Sequence, residues 1–386
     1  MSQMLYYLPP LSPDYSGVAS VFHDLQALTV IHDAAGCTGT YTGYDEPRWF
    51  GSASPTFCSG LREMDAVMGD DEKLVKKIEA ALKHTHAPCV AVVGSPVPMV
   101  VGFDFKGFAA MVERRTGLPV FGFPTTGLGY YDQGQRDAYL AVAKRVLPDT
   151  PPRNPRSVNI LGASALDGFD ETALDALEDL LGGAGFRINA CWGARSPLEE
   201  LKSSGGAEFN WVVTAAALPL ARYLQERYGV PFVTGLPIGK HERDRILSAL
   251  SRGGDETSKG NFPPPSDPMP GEETTLIIGE ALFCSSLRAF FEAQGGGGRV
   301  KIATFFPEGR DLLRPGDEFF TNEDEAIRAL ADPALKEVIA DPLIRDLLPE
   351  AAPPRFTGIP HRAVSGRIYN KSMADFFGPE PDIPGP

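Results

Sequence analysis

The segment from His32 to Cys58, HDAAGCTGTYTGYDEPRWFGSASPTFC, gathers the side chains best suited to chemistry. Cys37 stands between Gly36 and Gly39, and Cys58 closes the segment just before Ser59. Glycines beside a thiolate allow close backbone approach and leave N–H groups free to point at sulfur. Thiolates are soft ligands that select iron–sulfur clusters or zinc. Two of them cannot complete a four-thiolate site, but a two-fold axis would present each one twice. Free cysteine also serves as a small buried hydrophobe, and this spacing alone is not a metal motif. His32 and Asp33 precede the glycine loop, placed either to relay protons or to orient its backbone. Tyr41, Tyr44, Asp45, Arg48 and Trp49 follow it, a stretch suited to lining a substrate cavity or to packing at a subunit interface. Arg48 could neutralise an anionic cluster or a substrate carboxylate.

Short β-branched runs alternate with amphipathic stretches, which predicts an α/β fold with parallel sheets. Strands are expected at 27–31, 90–93, 120–123, 158–161, 211–214, 232–233, 275–278 and 300–305. Helices are expected at 70–83, 105–116, 171–182, 218–228, 280–294 and 323–330. In the first of these, acids open the first turn and Leu74, Ile78 and Leu82 form one buried stripe. The first expected strand leads into the Cys37 loop. Glycine-rich loops follow strands at 36–43, 94–98, 125–129, 162–168 and 235–239, where open sheets bind ligands. Pro-rich runs at 149–155 and 260–272 read as linkers. They divide the chain into 1–150, 151–269 and 270–386, each the size of one doubly wound, Rossmann-like unit. The glycines at 295–298 read as a flexible connector and the tail 378–386 as loose.

The chain is acidic, with net charge −14 and pI ≈ 5.0, which argues against binding to nucleic acid or to an anionic membrane. No run is apolar enough to span a membrane, and prolines interrupt the start where a signal peptide would be apolar, so a cytoplasmic setting is expected. Five cysteines in a chain of this length are not a disulfide framework. Neither a P-loop nor a GxGxxG after a strand is present, so no ATP or NAD site is expected.

His32-Asp33-Ala34-Ala35-Gly36-Cys37 resembles the H-x-x-x-G-C loop of the nitrogenase component 1 family. Residues 59–69 with Asp71-Glu72-Lys73-Leu74 are similar to that family's L-x-E-x-D-x-V-x-G-G-x-x-K-L. Ala91–Pro96 with Gly102-Phe103-Asp104 resembles its next strand and turn, and Gly117–Val120, Tyr228–Phe232 and Gly235–Gly239 match its recurrent G-I-P and P-x-G turns. The resemblance covers most of residues 15–290 and is most specific in its first third. The family includes the molybdenum–iron protein, its assembly scaffolds and related tetrapyrrole reductases.

The resemblance implies three doubly wound subdomains around a central cleft, in a homodimer or a heterodimer with a paralogue. It implies an iron–sulfur cluster at the dimer interface and an ATP-hydrolysing iron protein that delivers electrons to it. It leaves open a further metallocofactor at the substrate site. The family's second cluster cysteine maps onto Cys37, and Cys58 lies where some members add a ligand. Departures are equally informative. The family's first cysteine has no counterpart near 8–15, and its third falls in Ser95-Pro96-Val97-Pro98, which lacks one. Cys89 comes too early in its strand and is not carried over. This favours one [4Fe–4S] cluster on Cys37 and Cys58 from each of two subunits. The activity implied is that of a nitrogenase-like oxidoreductase component; the alternative is a scaffold for metallocofactor assembly. Cys191 and Cys284 read as core filler. His361 is expected either to start a helix or to close over the cleft.

Overall fold

The computed structural model describes residues 6–50, 54–252, 273–295, 299–369 and 371–383. The expected linker at 260–272 lies outside them, as do three of the four glycines at 295–298.

In the first part of the chain come α1 (Asp14–Asp24), β1 (Leu28–Ile31), α2 (Gly36–Thr40), β2 (Thr56–Cys58), α3 (Glu63–Met68), α4 (Asp71–Leu82), β3 (Val90–Val93), α5 (Pro96–Val100), α6 (Phe105–Thr116), β4 (Val120–Phe123) and α7 (Tyr131–Val146). The second contains β5 (Asn154–Leu161), α8 (Glu171–Gly183), β6 (Arg187–Trp192), α9 (Leu198–Leu201), β7 (Ala207–Val212), α10 (Leu218–Tyr228), β8 (Phe232–Thr234) and α11 (Gly239–Arg252). In the third are β9 (Thr274–Ile278), α12 (Ala281–Ala293), β10 (Arg299–Thr304), β11 (Glu318–Phe319), α13 (Glu323–Leu330), β12 (Leu335–Ala340), β13 (Arg355–Gly358) and α14 (Arg362–Ser365).

The strands form three wholly parallel sheets, ordered β2-β1-β3-β4, β6-β5-β7-β8 and β11-β10-β9-β12-β13. Each sheet runs outward on one side of its first strand and then reverses. The crevices where that reversal opens lie between β1 and β3, β5 and β7, and β9 and β12. Uninterrupted apolar runs such as Val90–Val93 are buried throughout, as sheets covered on both faces require. Asp70 and Asp104 cap α4 and α6 by accepting from Lys73 N and Gly107 N. No helix among the described residues is long and apolar enough to cross a membrane.

Several elements differ from expectation. The strand expected at 211–214 is Ala207–Val212, because Thr214 leaves the ladder and its hydroxyl donates to Gly162 O. The last two residues of the run at 149–155, Asn154 and Pro155, open β5. The tail is docked up to Ile383: Met373 N donates to Gly168 O and Gly378 N to Pro237 O. Helix α7 was hidden in a polar sequence. Its buried face mixes Tyr131, Asp132, Gln135 and Tyr139 with the small apolar residues Ala138, Val142 and Ala143.

Helix α7 also joins the units, because it packs closely on α1 and its buried face reaches the second sheet. At the α1–α7 crossing, a Cβ on Gly17 would lie 1.9 Å from Tyr131 O, and one on Gly134 would lie 1.9 Å from Asp14 O. Only glycine fits at either position. Gly17→Val or Gly134→Val should therefore cost at least about 1–3 kcal/mol through overpacking and displace Tyr131. Thermal melting checks this, and a variant melting with the wild type would contradict the tight crossing.

Candidate functional site

The carboxyl end of the first sheet brings the two expected ligand cysteines toward one residue. Ile31 is paired with Cys58 on one side and Val93 on the other, so Cys58 ends an edge strand beside the β1/β3 crevice. Cys37 lies in the first turn of α2, beyond β1. Asp33 stands between them. Its carbonyl oxygen lies 3.4 Å from Cys58 Sγ. Its carboxylate accepts from Ala35 N at 2.9 Å and Thr38 N at 3.1 Å, and so folds the loop that presents Cys37. The tight fold forces Ala35 to φ 147°, a strained conformation for a residue with a Cβ. Gly60 N donates to Cys58 Sγ at 3.3 Å.

Both thiols are partly exposed, whereas Cys89, Cys191 and Cys284 are buried. Burial pushes Cys89 and Cys191 up to about 12 and Cys284 well above its usual range, which makes them inert core residues. Burial, then the charge of Asp33, also raises Cys37, so at neutral pH it is a protonated thiol. No group of three or more His, Cys, Asp or Glu poised around a metal occurs among the described residues of the single chain.

The other expected site residues have mixed fates. Ser59 Oγ donates to Asp33 O, so the 2.9 Å contact with His32 Nδ1 assigns the ring proton to that nitrogen. Burial lowers His32 from 6.5 to about 4, so the ring is neutral and holds the loop in place. The Arg48 guanidinium is engaged within the chain. It pairs with the fully buried Glu46 at 2.7 Å and with Asp24 at 3.0 Å, and bonds Ser20 O at 3.0 Å. Burial would raise the Glu46 carboxyl, but Arg48 holds it below its ordinary range. Tyr41 is buried, while Tyr44 is 62% exposed. Short helices α3 and α5, which leave the same sheet edge, expose Met64, Val67, Met68 and Val100 at 65–77%.

A second cluster lies where the second and third sheets face each other, and the sequence signalled only part of it. Tyr131 Oη donates to Asp167 Oδ1 at 2.5 Å, and His361 Nε2 lies 3.3 Å from that hydroxyl and 3.4 Å from Asp167 Oδ1. Glu280 caps α12 and also accepts from Ala215 N, joining β9 to the end of β7. Burial, then the charge of Asp167, raises Glu280 to about 7. These acids and His361 line a cavity of about 30 Å³ whose remaining wall is mostly apolar. That is room for a water molecule or two. The glycine-rich loop at 162–168 contains Asp167, but nothing in the sequence singled out Asp167, Tyr131 or Glu280. His361 precedes α14 and also faces this cleft.

Replacing Arg48 with Met strands the buried Glu46 charge and should cost about 3–5 kcal/mol. Thermal melting checks it; an unchanged melting temperature would make Arg48 free for ligands. Because His32 titrates at about 4 in the fold against 6.5 outside it, the stability it confers is complete above pH 6.5 and lost as pH falls toward 4. The melting temperature of His32→Gln should accordingly decline less steeply over that interval than that of the wild type. Parallel declines would mean that the ring titrates normally.

A family model described as nitrogenase component 1 type oxidoreductase matches residues 14–259. The nitrogenase iron-molybdenum cofactor biosynthesis protein NifE of Sinorhizobium fredii is 29% identical over 244 residues, covering 58% of this chain and 48% of that protein. The nitrogenase molybdenum-iron protein alpha chain of Azospirillum brasilense is 24% identical over 285 residues, covering 69% and 57%. The chain thus spans about half the length of the curated relatives it matches. Among solved structures, nitrogenase Cp1 at pH 6.5 shares the fold with a TM-score of 0.59 at 17% identity, covering 81% of this chain and 66% of that one. With the three parallel sheets and the match over most of the chain, this protein belongs to the nitrogenase component 1 type oxidoreductase family.

Proposed function

We propose that the chain is the reductase component of a nitrogenase-like system in the cytoplasm. Two copies, or one copy and a paralogue, share a [4Fe–4S] cluster held by Cys37 and Cys58 of each. An ATP-hydrolysing iron protein supplies the electrons, and a substrate held between the sheets is reduced. The reading rests on one feature: two partly exposed thiols flank Asp33 at the carboxyl end of the first sheet, while the other three are sealed in the core.

The donor set fits such a group, because two thiols per chain become four across a two-fold axis. When bound, the cluster supplies one-electron transfer at low potential. The chain's own residues do the rest. Asp33 fixes the loop, and the Gly60 N–H directed at Cys58 Sγ helps to set the potential. The raised Cys37 thiol must give up its proton to bind iron, so loading weakens as pH falls. Exposed Met64, Val67, Met68 and Val100 form an apolar surface of the kind a second subunit covers.

The names of the NifE relatives, cofactor biosynthesis proteins, favour a second reading: a scaffold that holds a metallocofactor for another enzyme. Turnover separates the two, since a scaffold releases its cargo without steady consumption of reductant.

Anaerobically reconstituted protein should carry about four iron atoms per pair of chains. Cys37→Ala should lose them, and so should Cys58→Ala. Iron retained by the double variant Cys37→Ala/Cys58→Ala would refute the reductase reading.

A further inference from the structure

Strand β4 is an outer strand of the first sheet, and an open groove of about 800 Å³ runs along it between α6 and α7. The two helices cover opposite faces of the sheet, so the groove follows the strand's edge. The ladder fixes which backbone groups face it. Val90 N donates to Pro119 O and Gly94 N to Phe123 O, so in the alternation of a parallel pair Phe121 and Phe123 turn their polar groups toward β3. Val120 and Gly122 turn theirs outward. Val120 N donates to Glu113 Oε2 at 3.2 Å, so a carboxylate of the chain already stands where a neighbouring strand's acceptor would. Among the described residues the outward N–H of the partly exposed Gly122 has no partner.

The walls of this groove are cationic, in a chain whose net charge is −14. Lys106 and Arg114 stand on α6, and Lys144 and Arg145 on α7. Arg145 pairs with Glu113, but Lys106, Arg114 and Lys144 are exposed and form no ion pair among the described residues. The last turn of a helix favours cations, which accounts for Arg114, Lys144 and Arg145. It does not account for Lys106, in the first turn of α6, where the helix dipole disfavours positive charge. From Lys106 to Arg114 the helix rises about 12 Å, the length of about four strand residues. Edge strands are kept from random pairing by charges on the strand itself, whereas β4 reads Val-Phe-Gly-Phe and carries none. The small side chains of Ala109, Ala110 and Ala141 leave the approach to it open.

We propose that the β4 edge is a docking site for an acidic, extended segment of another protein, which adds a strand to the first sheet. The segment's backbone accepts from Gly122 N and donates to the outward carbonyl oxygens of Val120 and Gly122. Its carboxylates meet Lys106 and Arg114 on one face of the sheet and Lys144 on the other. A second copy of this chain is the wrong occupant, because pairing β4 with β4 sets the same cations against each other. Strand β2, which ends in Cys58, is the opposite outer strand of this sheet, so the docking site is separate from the thiols and stands whether or not the chain binds iron.

The test uses the full chain and short, capped, fluorescent peptides followed by anisotropy. A peptide of alternating glutamate and valine pairs, which presents acids on both faces of a strand, should bind saturably and slow hydrogen exchange at Gly122 by about tenfold or more. A peptide with proline in place of valine keeps the charge but cannot join a ladder, and one with lysine in place of glutamate has the wrong charge. Each should bind at least about tenfold more weakly. The double variant Lys106→Glu/Lys144→Glu alters only exposed side chains and should weaken the acidic peptide by about tenfold or more. An acidic peptide that does not bind, or that binds the double variant as tightly as the wild type, overturns the docking site. So does a proline peptide that binds equally well, or binding that leaves Gly122 exchange unchanged, since charge alone then explains the contact.

Discussion

Where α1 and α7 cross, neither helix has room for a side chain at Gly17 or Gly134, and the rest of the molecule depends on that closeness. With the two backbones in contact, α7 lies low enough for its buried face to reach the second sheet while α1 stays attached to the first. The same placement carries Tyr131, the first residue of α7, to within 2.5 Å of Asp167. Asp14, at the start of α1, accepts from Thr126 N and Gly127 N and so ties the loop after β4 to the crossing. A change of an ångström at this contact would be felt at the thiol edge and at the inter-sheet cleft together.

The two chemical regions are electrostatically distinct, and their differences suit different tasks. At the edge of the first sheet, a neutral His32 and a loop-bound Asp33 leave the thiols as the groups able to lose protons to a metal. Between the second and third sheets, burial raises Glu280 to about 7 beside the Asp167–Tyr131 and Asp167–His361 contacts. Helices α1 and α7 hold the two regions in one frame. The buried Arg48–Glu46–Asp24 group belongs to that frame.

The three-sheet architecture was legible because parallel strands buried on both faces are largely apolar, and runs such as Val90–Val93 and Leu276–Ile278 announce themselves. The cysteine loop was legible from its glycines. Helix α7 was not, because a helix whose inner face carries Tyr131, Gln135 and Tyr139 lacks the aliphatic period that marks a buried stripe. Arg48 was misleading for the opposite reason: a cation in an aromatic loop looks available until its partners, Glu46 beside it and Asp24 on α1, come into view. Sequence spacing cannot report which charges fold back onto their own neighbours. The cleft residues come from α7, the loop after β5, the turn before α12 and the segment after β13, so only the tertiary structure could assemble them.

In the proposed function, Cys37 and Cys58 meet their symmetry mates on shared iron. The most direct measurement is an anaerobic crystal structure with anomalous scattering collected at the iron edge. The expected result is a single iron cluster on or near a two-fold axis, ligated by Cys37 Sγ and Cys58 Sγ of both chains. Iron bound within one protomer away from these sulfurs, or a dimer that leaves the two thiols facing solvent, would contradict it.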